Sequence, residues 1–191
     1  ENDGASDPSW TAEDIATSAD DTRSVFAADM DNDGDMDILS ASVNDDTIAW
    51  YENDGASDPS WSAANIDTNA DGAQDVHVAD MDNDGDLDIL SASANDDTIA
   101  WYENLGDADD DGILDWTASN IATSADGARS VFAADLDNDG DMDIISVSAN
   151  DDTIAWYENS GSAIPEFSNI MMPIVSVLAI VGLNYRRRQT L

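Results

Sequence analysis

The chain has 191 residues, of which 43 are acidic and five are arginine, and its formal net charge is −38. This charge argues against contact with nucleic acid phosphates, and the absence of cysteine excludes disulfides and thiolate zinc sites. Hydrophobic residues make up 42% of the chain and include six tryptophans, enough for a folded core. Binding of metal ions and adaptation to a saline habitat explain this acidic composition equally well.

The first ten residues repeat residues 52–61 without a change. Residues 1–9 are therefore predicted to be the remnant of a preceding unit. The expectation is a fragment whose missing N-terminal part carried further units and an export sequence.

Tryptophan spacing reveals an internal repeat. Two series of tryptophans are spaced by 51 and then 55 residues: Trp10, Trp61 and Trp116, and Trp50, Trp101 and Trp156. One structural unit is thus copied, and the predicted blade repeats are residues 10–53, 61–104 and 116–159. The four extra residues of the second interval fall in an inserted acidic loop, residues 105–115.

Four short β-rich segments follow one another in the second unit, at residues 61–68, 74–79, 89–93 and 98–103. Turn residues at 69–72 separate the first two, and Asn95–Asp97 predicts a hairpin between the last two. Four strands in about 50 residues predict a β-propeller blade. The expected fold is all-β, with blades of four antiparallel strands, followed by a C-terminal hydrophobic helix.

An acidic nonapeptide, Asp-X-Asp-Asn-Asp-Gly-Asp-X-Asp, occurs at residues 29–37, 80–88 and 135–143. Carboxylates at positions 1, 3, 5 and 9 and a glycine at position 6 wrap a loop around a hard cation such as calcium, and position 7 offers its carbonyl. A solvated acidic hairpin would not require the same alternation of aspartates in three separate copies. An EF-hand would need a glutamate at position 12, whereas the residues that follow here read as strand.

The inserted loop has the same spacing once. Its candidate ligands for a fourth ion are Asp107, Asp109, Asp111, Asp115 and the carbonyl of Ile113, whereas Asp110 points outward in the pattern. The alternative is a flexible acidic loop.

Residues 1–160 resemble the FG-GAP, or VCBS-type, repeat family, whose blades are similar to those of the integrin α-subunit propeller. The resemblance is carried by the nonapeptides, by the approach segments 25–29 and 131–135, by residues 39–42, and by the strand Ile48–Asn53. It implies calcium ligation by the side chains of Asp29, Asp31, Asp33 and Asp37 with the carbonyl of Asp35, by Asp80, Asp82, Asp84 and Asp88 with Asp86, and by Asp135, Asp137, Asp139 and Asp143 with Asp141. Three ions are expected, and four if the inserted loop binds.

Few residues in the sequence suggest catalysis. The single histidine, His77, stands where the other units have Phe26 and Phe132, which favours a packing substitution over a catalytic base. The Trp-Tyr pairs at 50–51, 101–102 and 156–157 are interpreted as packing between blades rather than sugar-stacking platforms. Trp10, Trp61 and Trp116 are the better candidates for exposed contacts. The expectation is a protein that is not an enzyme.

The composition changes after the third unit. A linker, residues 160–169, contains Pro165-Glu-Phe167, and it is followed by an apolar segment, residues 170–185, and a basic tail, residues 186–191. The apolar segment is short for a permanent span, which needs about 20 residues. This arrangement resembles the PEF-type sorting signals of archaeosortases, which implies cleavage by a processing enzyme and anchoring at the outer cell surface. An ordinary tail anchor is the alternative.

The functional expectation is a calcium-binding, cell-surface binding or adhesion module whose ligand is an extracellular protein or polysaccharide. A non-catalytic accessory propeller of a secreted enzyme, such as a polysaccharide-active one, is the second reading. A structural surface spacer is the third.

Overall fold

A computed structural model describes residues 10–108 and 113–161, and these residues form an all-β structure of eleven strands. The strands are β1 (Thr22–Ala28), β2 (Asp37–Ser42), β3 (Thr47–Asn53), β4 (Trp61–Asp67), β5 (Ala73–Ala79), β6 (Asp88–Ser93), β7 (Thr98–Asn104), β8 (Trp116–Ala122), β9 (Ala128–Ala134), β10 (Asp143–Ser148) and β11 (Thr153–Tyr157). No helix capable of crossing a membrane occurs in the described ranges. The predicted N-terminal remnant, PEF motif, C-terminal helix and basic tail lie outside them.

The strands form three antiparallel sheets, which confirms the prediction of all-β, four-stranded blades. Sheet 1 has the order β1-β2-β3-β4 and sheet 2 the order β5-β6-β7-β8, whereas sheet 3 contains β9, β10 and β11. The predicted Asn95–Asp97 hairpin turn joins β6 to β7, and Asp97 adopts a positive φ of 56° there. Aspartate tolerates this left-handed conformation better than most residues do.

The sheets are offset from the sequence repeats by one strand. Strand β4 begins at Trp61, the first residue of the second repeat, but Trp61 lies opposite Asn53 of β3. The connection folds back because the Asp54 carboxylate accepts hydrogen bonds from the backbone N–H groups of Ala56 and Ser60, at 3.1 and 3.0 Å. Sheets 1 and 2 therefore each receive their fourth strand from the sequence unit that follows.

Two apolar cores lie between neighbouring sheets. The first contains Leu39 and Ile48 of sheet 1 and Val76 of sheet 2, and the second repeats it with Leu90 and Val131 among its members. The first strands of the sheets, β1, β5 and β9, lie side by side. This packing brings the three nonapeptide loops to equivalent places on successive sheets.

Candidate metal centre

Each nonapeptide connects the first strand of its sheet to the second. In the middle loop, Asp80 directly follows β5 and Asp88 is the first residue of β6. Gly85, at position 6, has a φ of +100°, and no atom lies within 4 Å of the place where a side chain would begin. Glycine is required here by the backbone conformation rather than by lack of space.

Carboxylates at positions 1, 3 and 5 converge in every loop. One oxygen from each of the three side chains lies within 4.8 Å of the other two, in the clusters Asp29, Asp31 and Asp33; Asp80, Asp82 and Asp84; and Asp135, Asp137 and Asp139. Oxygens on opposite sides of a calcium ion, each bound at about 2.3–2.6 Å, are about 5 Å apart. The spacing therefore fits three ligands of one cation.

The carboxylates at position 1 of the first and middle loops each contain a buried oxygen that lacks a protein partner among the described residues. In Asp29, Oδ2 accepts a hydrogen bond from the backbone N–H of Gly34 at 3.0 Å, while Oδ1 is buried and unpaired among the described residues. Asp80 repeats this arrangement, with Gly85 as the donor at 3.1 Å. A buried carboxylate oxygen without a partner is costly. A cation in the cluster would supply the partner, and an all-oxygen donor set suits calcium.

Position 9 anchors the loop to the sheet. Asp88 is 1% exposed, and its two oxygens accept hydrogen bonds from the backbone N–H groups of Met81 and Asn104, at 3.0 and 2.8 Å. The equivalent aspartates, Asp37 and Asp143, make the same pair of bonds. Burial raises the pKa of Asp88 to about 6, although both N–H donors act in the opposite direction. Direct coordination of the ion by position 9 stays a prediction. It is compatible with these hydrogen bonds, because each carboxylate oxygen has a further lone pair.

Side chains at positions 4 and 7 link successive loops. Asn32 Nδ2 donates to Asp86 Oδ1 at 2.9 Å, and Asn83 Nδ2 donates to Asp141 Oδ1 at 2.9 Å. Sequence reasoning assigned only the backbone carbonyl of position 7 and gave no role to position 4. The signal that was available is the asparagine at position 4 of all three nonapeptides.

Part of the inserted loop shares this design. The backbone N–H of Ala108 donates to Asp115 Oδ2 at 3.2 Å, the same bond from position 2 to position 9 that the other loops make. Asp107 and Ile113 are described, whereas Asp109 and Asp111, with residues 110 and 112, lie outside the described residues. The fourth ion site stays a prediction.

Two of the loop carboxyl groups bind protons more readily than a free aspartate when no cation is bound. Desolvation raises the pKa of Asp31 and of Asp82, and the neighbouring charges of Asp33 and Asp84 raise it further. Because a metal ligand must be deprotonated, protons and cations are alternative ways to neutralise each loop.

His77 lies in a row of aromatic rings. Its ring centroid is 5.0 Å from that of Phe26 on β1 and 4.5 Å from that of Phe132 on β9. Burial lowers the pKa of His77, and the charge of Asp75 partly offsets this effect. These contacts favour the packing interpretation of His77.

Replacing His77 by phenylalanine is expected to raise the melting temperature slightly and to weaken its dependence on pH below neutrality. The lowered pKa of His77 means that the unfolded chain binds this proton more readily, so the native protein loses stability as the pH falls through the histidine range. Thermal unfolding of both proteins between pH 5 and pH 8, the range in which histidine ordinarily titrates, measures the effect. Parallel pH profiles would contradict this role for His77.

The tryptophans divide by environment. Of the tryptophans interpreted as packing between blades, Trp50 is buried in the first core and Trp101 packs against the second, whereas Trp156 is 51% exposed. Of the three tryptophans expected to be exposed, only Trp10 is, at 73%; Trp61 is half-buried, and Trp116 packs against the first core. Trp116 is likewise half-buried, because its strand, β8, completes sheet 2 beside that core.

Antiparallel four-stranded sheets packed side by side, with an acidic loop between the first two strands of each, define a β-propeller-type repeat module. A family model described as an FG-GAP-like repeat matches residues 29–91 and again residues 80–146. The chain belongs to the FG-GAP-like repeat family. No curated protein matches it.

Proposed function

We propose that this protein is a calcium-binding repeat module of the cell surface that acts in binding or adhesion. The observation that carries the metal assignment is the buried, unpaired oxygen of Asp29 and of Asp80 inside a cluster of three convergent carboxylates. The ligands in this proposal are the carboxylates at positions 1, 3, 5 and 9 of each nonapeptide and the carbonyl at position 7. The bound ion would neutralise the loop and hold its strands together, so its role is structural.

The proposed binding role is supported by an open cleft of about 360 Å³ beside the first loop. Its lining includes Asp31, Glu52, Asp107 and Trp50. Asp31 and Asp107 are proposed ion ligands, so an ion at the edge of the cleft would bridge to a polysaccharide, whereas Glu52 would pair with a basic protein segment. The proposed role is non-catalytic, because the loop aspartates serve the metal and the single histidine packs between two rings.

Surface display in this proposal rests on the sequence of the C-terminal segment. A processing enzyme would cut near Pro165–Phe167 and transfer the chain to an anchor. Mass spectrometry of the C-terminal peptide from the protein's own cells tests this step. A peptide that ends near residue 167 supports processing, whereas one that extends to Leu191 favours a retained tail anchor.

Calorimetric titration of calcium into the metal-stripped 191-residue chain tests the metal assignment. Three ions are expected to bind, or four if the inserted loop participates, and Asp84→Asn is expected to remove one of them. Asp58→Asn is the matched control, because it removes an equal charge from an exposed position outside the loops. Absence of binding at millimolar calcium would overturn the proposal.

A further inference from the structure

Neighbouring nonapeptide loops are joined by a side-chain amide at position 4. Asn32 of the first loop donates to Asp86 of the middle loop at 2.9 Å. Asn83 of the middle loop donates to Asp141 of the third loop at the same distance. Both asparagines have a positive φ, of 61° and 63°. Glycine and aspartate tolerate this conformation too, but neither a glycine nor an ionised aspartate has a side-chain donor, so asparagine provides both the backbone conformation and the bridge.

The first bridge begins between two of the proposed ion ligands. Asn32 is flanked in the sequence by Asp31 and Asp33. These neighbours are themselves connected, because the backbone N–H of Asp33 donates to Asp31 Oδ1 at 3.2 Å. An ion bound by both carboxylates would fix the backbone on either side of Asn32. The amide would then be held in the position from which it reaches the middle loop.

The bridge ends on a residue that contacts a proposed ligand of the middle loop. The side chain of Asp86 receives the bond from Asn32, and its backbone N–H donates to Asp84 Oδ1 at 2.9 Å. The carbonyl of Asp86 is itself a proposed ligand, so ordering this residue orders two donor groups of the middle loop. The third loop repeats the arrangement, with a bond of 2.9 Å from Asp141 to Asp139.

A second, buried amide holds neighbouring loops at a fixed spacing. Asn104 is 1% exposed, and its Nδ2 donates to the carbonyls of Met30 in the first loop and Leu87 in the middle loop, each at 3.2 Å. Asn159 makes the equivalent two bonds between the middle and third loops. These bonds limit the movement of one loop relative to the next. A change in the side chain at position 4 is therefore transmitted to position 7 of the next loop rather than absorbed between the sheets.

We propose that the asparagines at position 4 make calcium binding to neighbouring loops positively cooperative. This inference rests on the proposed calcium sites. An ion in one loop fixes the amide, and the amide orders position 7 of the next loop. The next ion then binds with a smaller loss of conformational freedom, which couples the two sites. The coupling is reciprocal, so an ion in the middle loop strengthens binding in the first loop by the same factor.

The expected coupling is modest. The bridging bonds are exposed, so we expect about a fivefold increase in affinity, at the lower end of the usual couplings between sites. Repulsion between ions in neighbouring loops opposes this effect, but salt at about 1 M reduces the Debye length to about 3 Å and screens the repulsion. The loops would then fill together, over a narrower range of calcium concentration than independent sites need.

Two variants of the full chain, each with one loop disabled, measure the coupling. Asp139→Asn disables the third loop and leaves the first and middle loops, which Asn32 bridges. Asp84→Asn disables the middle loop and leaves the first and third loops, which share no position 4 bridge among the described residues. Both proteins also carry Asp109→Asn, which removes a candidate ligand of the inserted loop. In calorimetric titrations at about 1 M salt, the second calcium ion is expected to bind Asp139→Asn about fivefold more tightly than independent sites allow, and Asp84→Asn no more tightly.

Further substitutions in the Asp139→Asn protein show whether the amide carries the coupling. Asn32→Gly is expected to abolish the cooperativity, because glycine keeps the left-handed backbone conformation but removes the donor. Asn83→Gly is the matched control, because the bond that it removes leads to the disabled third loop. Asp86→Ala breaks the bond from Asn32 at its other end and keeps the backbone carbonyl proposed as a ligand, so it is expected to abolish the cooperativity as well.

The outcomes separate this inference from the proposed function. Absence of calcium binding would overturn both. Two ions bound independently by Asp139→Asn would overturn the coupling and leave the calcium sites intact. Cooperativity that survives Asn32→Gly and Asp86→Ala, or that is lost equally in Asn83→Gly, would show that the position 4 bridge does not carry it and would also overturn the proposal.

Discussion

Chelation of the calcium proposed to fill the nonapeptide loops is expected to lower the melting temperature of this protein by tens of degrees. A ligand at 100 times its dissociation constant stabilises the folded state by about 2.7 kcal/mol per site, so three independent sites contribute roughly 8 kcal/mol. For a domain of this size, that corresponds to a decrease of roughly 15 to 30 °C. Calorimetry with and without a calcium chelator measures it. An unchanged melting temperature would contradict a structural role for the ion.

The effect of chelation is expected to grow with pH. In the metal-free fold the pKa of Asp88 is raised from the ordinary value of 3.8 to about 6, and the pKa values of Asp31 and Asp82 are raised as well. The folded state therefore holds protons that the unfolded chain has lost, and the metal-free protein becomes less stable as the pH rises across this window. Calcium bound as proposed would remove this penalty, because it favours the deprotonated carboxylates. The melting curves with and without calcium should lie closest at acidic pH and diverge towards neutrality.

The second large effect is expected from Asp88→Ala. The substitution leaves the buried N–H groups of Met81 and Asn104 without an acceptor. Each unsatisfied buried group costs about 1–3 kcal/mol, so a loss of roughly 2–6 kcal/mol is expected. Urea unfolding in high salt without calcium measures this loss apart from metal binding, because salt screens the repulsion among the carboxylates.

Asp86→Ala is the matched control for this substitution. It removes an aspartate of the same loop, but the bond that it breaks, from Asn32, is exposed. A loss below about 1 kcal/mol is expected, as for other exposed polar contacts. Equal losses from Asp88→Ala and Asp86→Ala would show that position 9 does not anchor the loop.

Much of the fold follows from two periodicities in the sequence. The recurrence of tryptophan predicts a repeated unit, and alternation within short β-rich segments predicts its strands, because side chains on a strand point to opposite faces in turn. The predicted segments at 74–79, 89–93 and 98–103 differ from β5, β6 and β7 by one residue at most at either end. These segments also bury their apolar residues, so local pattern and tertiary packing agree.

The convergence of carboxylates was also readable from spacing. Glycine at position 6 forces a sharp turn, and alternate aspartates before it then face a common centre, as Asp80, Asp82 and Asp84 do. Position 9 was harder to interpret, because its hydrogen bond to Asn104 depends on a strand that lies 16 residues further along the chain. A loop motif considered by itself contains no information about that partner.

Strand membership could not be read from the repeat. A repeated sequence fixes the length of a unit but not the point at which one sheet ends and the next begins. That point depends on which neighbour Trp61 and Trp116 pair with, and the pairing is set by the backbone register across β3–β4 and β7–β8. The bond from Asn32 to Asp86 was missed for a similar reason, since it joins two loops that only packing brings together.

The one-strand offset between repeat and sheet has a consequence for how such a protein can change its length. A duplication or deletion between equivalent codons of two units inserts or removes one complete period, wherever within the unit the exchange happens. At the new junction, three strands of one sequence unit and the first strand of the next unit form one sheet, as β1, β2 and β3 already do with β4. Loop-to-loop hydrogen bonds are restored in the same way, because Asn32 and Asn83 use identical partners. Genetic recombination can therefore vary the number of blades without first evolving a new interface.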